Sequence, residues 1–243
     1  MSGQNARYAV AAVHGWNHAA YARHKTRWPG DWTLFESPDE LTDAAIRDLA
    51  PRYVFFPHWS WRVPDEILEA AECVCFHMTD VPYGRGGSPL QNLVLRGHTE
   101  TMVSALRMVS ELDAGPVYLK KPLSLEGRAQ SIYERAADVV FGMIGEIVAN
   151  EPEPVPQSGE AVIFPRRTPA ESALPAGAGP AALYDHIRML DAEGYPHAFL
   201  EHDGMRLEFT GAQMAADGTV SARVTFAPES KAGRPTNKEG QDG

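Results

Sequence analysis

The stretch FHMTDVPYGRGGSP, residues 76–89, decides the fold, together with the short turn ELDAG at residues 111–115. It places His77 at the end of an apolar strand and follows it with a loop shaped by proline and glycine. Asp113 then arrives one crossover later, at a second turn. Ligands of open α/β sheets bind beyond the carboxyl ends of the strands. The pattern therefore predicts a general base and an orienting carboxylate at one edge of a parallel sheet.

Apolar runs and turn residues before this stretch predict alternating strands and helices. Ser37-Pro38-Asp39-Glu40 has the residues of a helix start, with Ser37 as N-cap, and this helix would run to about Leu49. Residues 16–33 are aromatic and are expected to be irregular. The resulting β-α-β-α-β order favours a parallel sheet with right-handed crossovers. The predicted strands are Tyr8–Val13, Tyr53–Phe56 and Cys73–His77, and the second helix is Pro64–Ala71.

The sequence after the glycine-rich loop predicts further elements and then a proline-rich break. These elements are a helix at Leu90–Arg96, strands at Thr101–Val109 and Val117–Leu119, and a long amphipathic helix at Leu125–Val148. The predicted fold class is α/β, a Rossmann-like parallel-sheet domain over residues 1–150. A proline-rich linker over 151–180 follows. A small α+β appendage with a helix and a β-hairpin is expected over 181–227, and a disordered tail over 228–243.

Composition narrows the class of protein. The chain has 243 residues, 44% of them hydrophobic, and a formal net charge of -10. Nucleic-acid binding normally requires a basic stripe, so no nucleic-acid partner is expected. No long apolar run predicts a membrane span, and the polar N-terminus predicts a cytoplasmic protein. Cys73 and Cys75 lie two apart on one strand, where a disulfide is unfavourable, so free thiols are expected.

Each motif also has a purely structural interpretation. His77 can cap the loop that follows its strand, and Asp113 lies in a turn that needs no function. Gly84–Pro89 can cradle an anion or simply require positive φ, and it lacks the spacing of nucleotide-binding loops. The loop His58-Trp59-Ser60-Trp61 is equally consistent with a ligand wall and with a cover for the core.

Together these residues resemble the formyltransferases that use 10-formyltetrahydrofolate, a family with methionyl-tRNA, glycinamide ribonucleotide and amino-sugar members. The family signature is Asn-x-His, then a Leu-Pro-x-x-Arg-Gly loop, then Leu-Asp-x-Gly. The matching residues here are Cys75-Phe76-His77, Asp80–Gly86 and Leu112–Gly115. The resemblance covers roughly residues 50–150. Cys75 departs from the family asparagine, which helps to bind the formyl oxygen.

The resemblance implies a formyl transfer in which an amine attacks the formyl carbon and preorganised donors stabilise the oxyanion. His77 would transfer the proton or donate to the oxyanion, and Asp113 would orient His77. Cys75 is the third catalytic position, and no metal ion is needed. The implied cofactor-binding residues are Trp61, Arg62, Val63, Pro64, Arg85, Gly86, Gly87 and Ser110. The implied substrate-binding residues, which include the candidates to replace the family asparagine, are Tyr83, Gln91, Asn92 and His58.

Residues 183–199 resemble the short appendage of sugar formyltransferases. The resemblance therefore favours a small-molecule acceptor amine, on a nucleotide-linked amino sugar, and by analogy it allows a homodimer. Alternative acceptors are a hydroxyornithine, an antibiotic precursor or methionyl-tRNA. Because of Cys75, a folate- or sugar-nucleotide-binding protein without turnover is a second kind of function.

Overall fold

The computed structural model describes residues 6–228. The chain forms two compact units, Met1–Arg167 and Thr168–Gly243. Almost all of the predicted disordered tail, residues 229–243, lies outside the described residues. Between residues 6 and 228, no helix has the length and apolar character needed to cross a membrane.

The first unit is an α/β fold built on a six-stranded sheet, as predicted. The strands lie in the order β2-β1-β3-β4-β6-β7. The first four strands are parallel to one another, whereas β6 is antiparallel to β4 and β7 is antiparallel to β6, so the sheet is mixed rather than purely parallel. The elements, in chain order, are β1 (Arg7–Ala11), α1 (Gly15–His24), β2 (Asp31–Phe35), α2 (Asp43–Leu49), β3 (Tyr53–Phe56), α3 (Asp65–Ala70), β4 (Glu72–His77), β5 (Tyr83–Gly86), α4 (Pro89–Leu95), β6 (Glu100–Arg107), β7 (Val117–Ser124), α5 (Ala129–Asn150) and β8 (Val162–Phe164).

Alternation along the strands gives the sheet two apolar faces. One face carries Val54 and Phe56 of β3, which pack with Ile46 of α2 and Ile67 of α3. On the helical layer formed by α1 and α5, Tyr21 and Phe141 lie 6.2 Å apart between ring centroids. Strand β3 is apolar and buried at all four positions, as expected where a strand is covered on both faces.

The chain runs from β1 outward to β2 and then returns to β3 on the other side of β1. This reversal makes the carboxyl ends of β1 and β3 the topological switch point of the sheet, which is where ligands of such folds bind. His77 ends the next strand, β4, at the same edge. The fold therefore gathers the loops that follow β1, β3 and β4 on one side of the sheet.

Two expectations about the first fifty residues were wrong. Residues 16–33 are not irregular: they contain helix α1 and most of strand β2, with Trp16, Asn17, Ala20 and Tyr21 buried along one side of the helix. Helix α2 begins after Thr42, whose hydroxyl accepts from Ala45 N–H at 3.1 Å, and not after Ser37. Glu40 instead accepts from the Glu36 N–H at 2.8 Å, which stabilises a turn.

Over residues 168–228, the second unit is a three-stranded antiparallel sheet with one α-helix. It contains α6 (Pro180–Arg188), β9 (Ala198–His202), β10 (Met205–Met214) and β11 (Val220–Pro228), with β10 in the centre. The predicted helix and β-hairpin are therefore confirmed. Asp191, just after α6, accepts a hydrogen bond from Gly211 N–H of β10 at 2.8 Å and ties the helix end to the sheet.

Candidate active site

His77 is held in one ring orientation by the glycine-rich loop. Its Nε2 lies 2.7 Å from the carbonyl oxygen of Gly84. A carbonyl oxygen can only accept, so Nε2 carries the hydrogen and donates it. Thr79 Oγ1 also donates to this carbonyl at 3.2 Å. The tautomer of a neutral His77 is thereby fixed, and the other ring nitrogen, Nδ1, has the lone pair.

Asp113 faces that second nitrogen. Its Oδ2 lies 3.5 Å from His77 Nδ1, and the two side chains are each only 10% exposed. The same oxygen accepts a hydrogen bond from Gly86 N–H at 2.9 Å. Asp113 lies in a turn after β6 with φ of 53°, a left-handed conformation that aspartate tolerates. The structure thus brings together the two residues that the sequence singled out, in a setting where charge interactions are strong.

Cys75 points to the same face of β4 as His77, because the two residues are two apart on one strand. Burial raises the pKa of its thiol, and the nearby charge of Asp113 raises the pKa further. Burial likewise raises the pKa of Cys73 to about 12. Both sulfurs are therefore neutral S–H groups at physiological pH, and such groups are only weak hydrogen-bond donors.

The glycine-rich loop is fixed by side chains from outside it. The Asn92 amide donates to three backbone carbonyls, those of Gly87, Ser88 and Pro165, at 3.0–3.1 Å. Gly86 has φ of 102°, and a Cβ there would lie 2.5 Å from the Phe164 carbonyl oxygen. Strand β5 pairs with β8 along this loop. The amide donors of Asn92, a predicted substrate residue, are thus occupied in holding the loop backbone.

A cluster of aromatic rings occupies the switch point of the sheet. His14 follows β1, and His58 follows β3. The ring centroid of His14 lies 4.7 Å from that of His58 and 4.3 Å from that of Trp16, on which His14 stacks. His58 also lies edge-on to Tyr133 of α5 at 4.7 Å. Burial and the adjacent His14 lower the pKa of His58 to about 3. Gln91 donates to the Tyr133 hydroxyl at 3.2 Å, so the structure joins two predicted substrate residues, His58 and Gln91, through Tyr133.

The predicted folate-binding residues between β3 and α3 differ in exposure. Trp61 is 39% exposed and lies 5.2 Å from Trp59, whereas Val63 is buried in the core beneath α3. Arg62 is exposed and lies 3.5 Å from Asp65, and Pro64 directly precedes α3. The remaining predicted residues lie elsewhere: Ser110 is exposed in the turn after β6, and Tyr83 Oη lies 3.0 Å from His98 Nε2.

Gln157 contacts the site from the segment between α5 and β8, and it was not among the predicted residues. Its amide nitrogen donates to the carbonyls of Asp113 and Gly115, each at 2.8 Å. Arg85 donates to its amide oxygen from Nη2 at 2.9 Å. The one signal in the sequence that could have indicated this role is that Gln157 is a polar residue at the end of a proline-rich segment. Also missed was the Gly84 carbonyl, since a backbone acceptor leaves no trace in a sequence pattern.

Known formyltransferases are similar to this chain in sequence and in fold. Residues 169–227 match the family model described as the C-terminal domain of methionyl-tRNA formyltransferase. A solved methionyl-tRNA formyltransferase from Clostridium thermocellum is 39% identical, with a TM-score of 0.87, over 92% of this chain and 99% of that one. A methionyl-tRNA formyltransferase from Thermus thermophilus is 29% identical over 68% of this chain, which spans 55% of the length of that relative.

A second structure, described as a likely sugar N-formyltransferase from Mycobacterium tuberculosis, shares the fold with a TM-score of 0.64 and 18% identity, over 93% of this chain and 99% of that one. The similarity to the Clostridium structure extends over nearly the full length of both chains, which is enough to assign the family. This chain belongs to the formyltransferase family.

Proposed function

We propose that this protein transfers a formyl group from 10-formyltetrahydrofolate to a primary amine. The observation that carries the proposal is the His77–Asp113 pair at the carboxyl edge of the sheet, with Nε2 of His77 committed to the Gly84 carbonyl. That commitment leaves Nδ1 as the atom that exchanges a proton. Family membership supplies the folate donor, and the pair supplies the general base and acid.

The pair accounts for the proton in a balanced transfer. The amine nitrogen bonds to the formyl carbon, and the bond from that carbon to N10 of the folate breaks. One amine proton must therefore move to N10. His77 accepts it at Nδ1, where the Asp113 carboxylate 3.5 Å away stabilises the resulting imidazolium. His77 then returns the proton to the leaving nitrogen.

Charge on the second unit supports a small-molecule acceptor. Residues 168–228 carry eight carboxylates and three arginines, a net charge of -5. Two of the arginines are paired: Arg188 with Asp185 at 2.6 Å, and Arg206 with Glu208 at 3.5 Å. Binding of RNA relies on cationic contacts to phosphates. We therefore assign an amino sugar on a nucleotide as the acceptor, in line with the fold neighbour described as a likely sugar N-formyltransferase.

The names of the nearer relatives favour a different acceptor, methionyl-tRNA. A third possibility of another kind follows from Cys75, whose weak S–H donor replaces an amide. A protein with that change can bind folate and a sugar nucleotide without transferring the formyl group. Replacing Cys75 by asparagine separates an enzyme from a binding protein. A gain in rate identifies an enzyme, whereas no transfer by either form identifies a binding protein.

The test combines donor binding with a panel of acceptors. Isothermal calorimetry with 5-formyltetrahydrofolate, a stable analogue, measures donor binding. Mass spectrometry of reactions containing 10-formyltetrahydrofolate then looks for a formylated product with nucleotide amino sugars, small amines or charged initiator tRNA. A product with an amino sugar is expected. Formylation of the tRNA alone would overturn the assignment of the acceptor, and no folate binding at millimolar concentration would overturn the function.

A further inference from the structure

The turn that carries Asp113 is held in place from outside by Gln157. The amide nitrogen of Gln157 donates one hydrogen to the Asp113 carbonyl and the other to the Gly115 carbonyl, both at 2.8 Å. These two carbonyls can only accept, and the Arg85 guanidinium on the other side of the amide can only donate. The orientation of the Gln157 amide is therefore set by its partners.

Four residues close a ring of hydrogen bonds around this turn. Gly86 N–H donates to the Asp113 carboxylate, and the Asp113 carbonyl accepts from Gln157. The Gln157 carbonyl oxygen accepts from Arg85, with Nε at 3.1 Å and Nη2 at 2.9 Å. Arg85 directly precedes Gly86, which closes the ring. Both the backbone and the side chain of Asp113 are thus fixed by the same set of contacts.

The segment that carries Gln157 is itself anchored to the sheet. Val155, two residues earlier, exchanges two backbone hydrogen bonds of 2.8 Å with Val117, at the start of β7. Gln157 thereby connects a fixed point of the sheet to a turn whose central residue has φ of 53°. A left-handed aspartate is strained relative to the common regions and persists where neighbours hold it.

We propose that Gln157 is a positioning residue for the proposed formyl transfer: it holds Asp113 at the distance from His77 that proton transfer requires. This inference rests on the proposed function. Among the described residues, no hydrogen bond joins Gln157 to His77, so Gln157 acts through the Asp113 turn. A displacement of about 1 Å at a reacting pair can lower a rate about 100-fold.

Two substitutions separate positioning from simple structural support. Gln157→Glu keeps the length of the side chain and strengthens the contact with Arg85, but it places a carboxylate oxygen against the carbonyls of Asp113 and Gly115. Gln157→Ala removes both sets of contacts. The matched control is Gln213→Ala, an exposed glutamine of β10 in the second unit.

Steady-state kinetics and hydrogen–deuterium exchange are measured on all three variants. For Gln157→Glu we expect kcat to fall 10- to 100-fold with the KM for folate within about threefold of wild type, because only the proton-transfer geometry changes. Exchange should increase at residues 111–115, while the rest of the first unit keeps its protection. Gln213→Ala should match the wild type in both measurements.

A kcat for Gln157→Glu within twofold of wild type would overturn the proposal. So would a general loss of exchange protection across the first unit in this variant, since that pattern indicates structural support alone. A wild-type protein without any transfer would contradict the proposed function instead. In that case the exchange at residues 111–115 still decides whether Gln157 holds the Asp113 turn, and unchanged exchange there in Gln157→Ala would refute it.

Discussion

Replacing Asp113 by asparagine tests the charge on the proposed proton-transfer pair. Asparagine has almost the same shape, tolerates the φ of 53°, and its amide oxygen can still accept from Gly86 N–H. The change therefore removes the negative charge 3.5 Å from His77 Nδ1 and little else. At that distance, two unit charges in an effective dielectric of about 20 attract with about 5 kcal/mol.

The loss in rate follows from that attraction. In the transition state the His77 ring carries part or all of a positive charge. The substitution therefore removes about 2 to 5 kcal/mol of transition-state stabilisation. This corresponds to a decrease in kcat of about 30- to 5,000-fold, with folate binding preserved. The assay is the steady-state release of tetrahydrofolate, with binding of 5-formyltetrahydrofolate measured separately by calorimetry.

A matched control exists in the second unit. Asp203 is exposed and also has positive φ, 48°, in the turn between β9 and β10. Asp203→Asn should therefore leave kcat within twofold of wild type. If Asp113→Asn retained kcat within threefold of wild type while binding folate normally, the charge on Asp113 would have no part in the reaction, and the assigned role would be wrong.

Three further predictions concern the fold. Because burial raises the pKa of Cys73 to about 12 and also raises that of Cys75, both thiols should resist iodoacetamide at pH 8 until the protein is unfolded, as followed by mass spectrometry; rapid alkylation of the native protein would contradict this. Since the pKa of His58 is about 3 in the folded protein and about 6.5 when unfolded, the unfolded state binds more protons between these values, and the free energy of unfolding should fall below pH 6.5 by up to about 1.4 kcal/mol per pH unit. Denaturant titrations of wild type and His58→Asn between pH 7 and 5 should show a shallower decline in the variant, whereas equal slopes would exclude His58 as the cause. A methyl group at Gly115 would overlap the Arg107 carbonyl oxygen, so Gly115→Ala should lower the free energy of unfolding by about 3 kcal/mol, whereas Gly142→Ala, with open space around it, should not; calorimetric melting of both variants decides the point.

Much of the fold could be predicted because the relevant signals are local. The apolar runs of β3 and β4 and the helical spacing of α5 are visible in single windows of sequence, and the structure confirms them. Helix α1 was not predicted, because its buried side has only four residues and the aromatic and histidine residues around them obscure the helical periodicity. The start of α2 was misplaced because the residues around Ser37 and Glu40 satisfy a turn as well as a helix cap.

The candidate site was predictable in part for the same reason. His77 stands out because it ends a strand ahead of a glycine-rich loop, and Asp113 because it lies in a turn after the next strand of the sheet; sheet topology then brings them to one edge. The contact with Gln157 joins residues 44 positions apart, through a turn and a proline-rich segment that have no periodicity. Such a contact depends on the tertiary arrangement of β5, β7 and β8, which no local pattern encodes.

The most direct test of the central claim is a single-turnover experiment with His77→Ala. Purified wild type or variant, in molar excess over 10-formyltetrahydrofolate, is mixed with this donor and with the acceptor found in the panel. Formylated product is then quantified over time. We expect the variant to bind folate with wild-type affinity but to form product at least about 100-fold more slowly, as is typical for loss of a general acid–base. Product formation by His77→Ala at the wild-type rate would contradict the assigned role of this histidine.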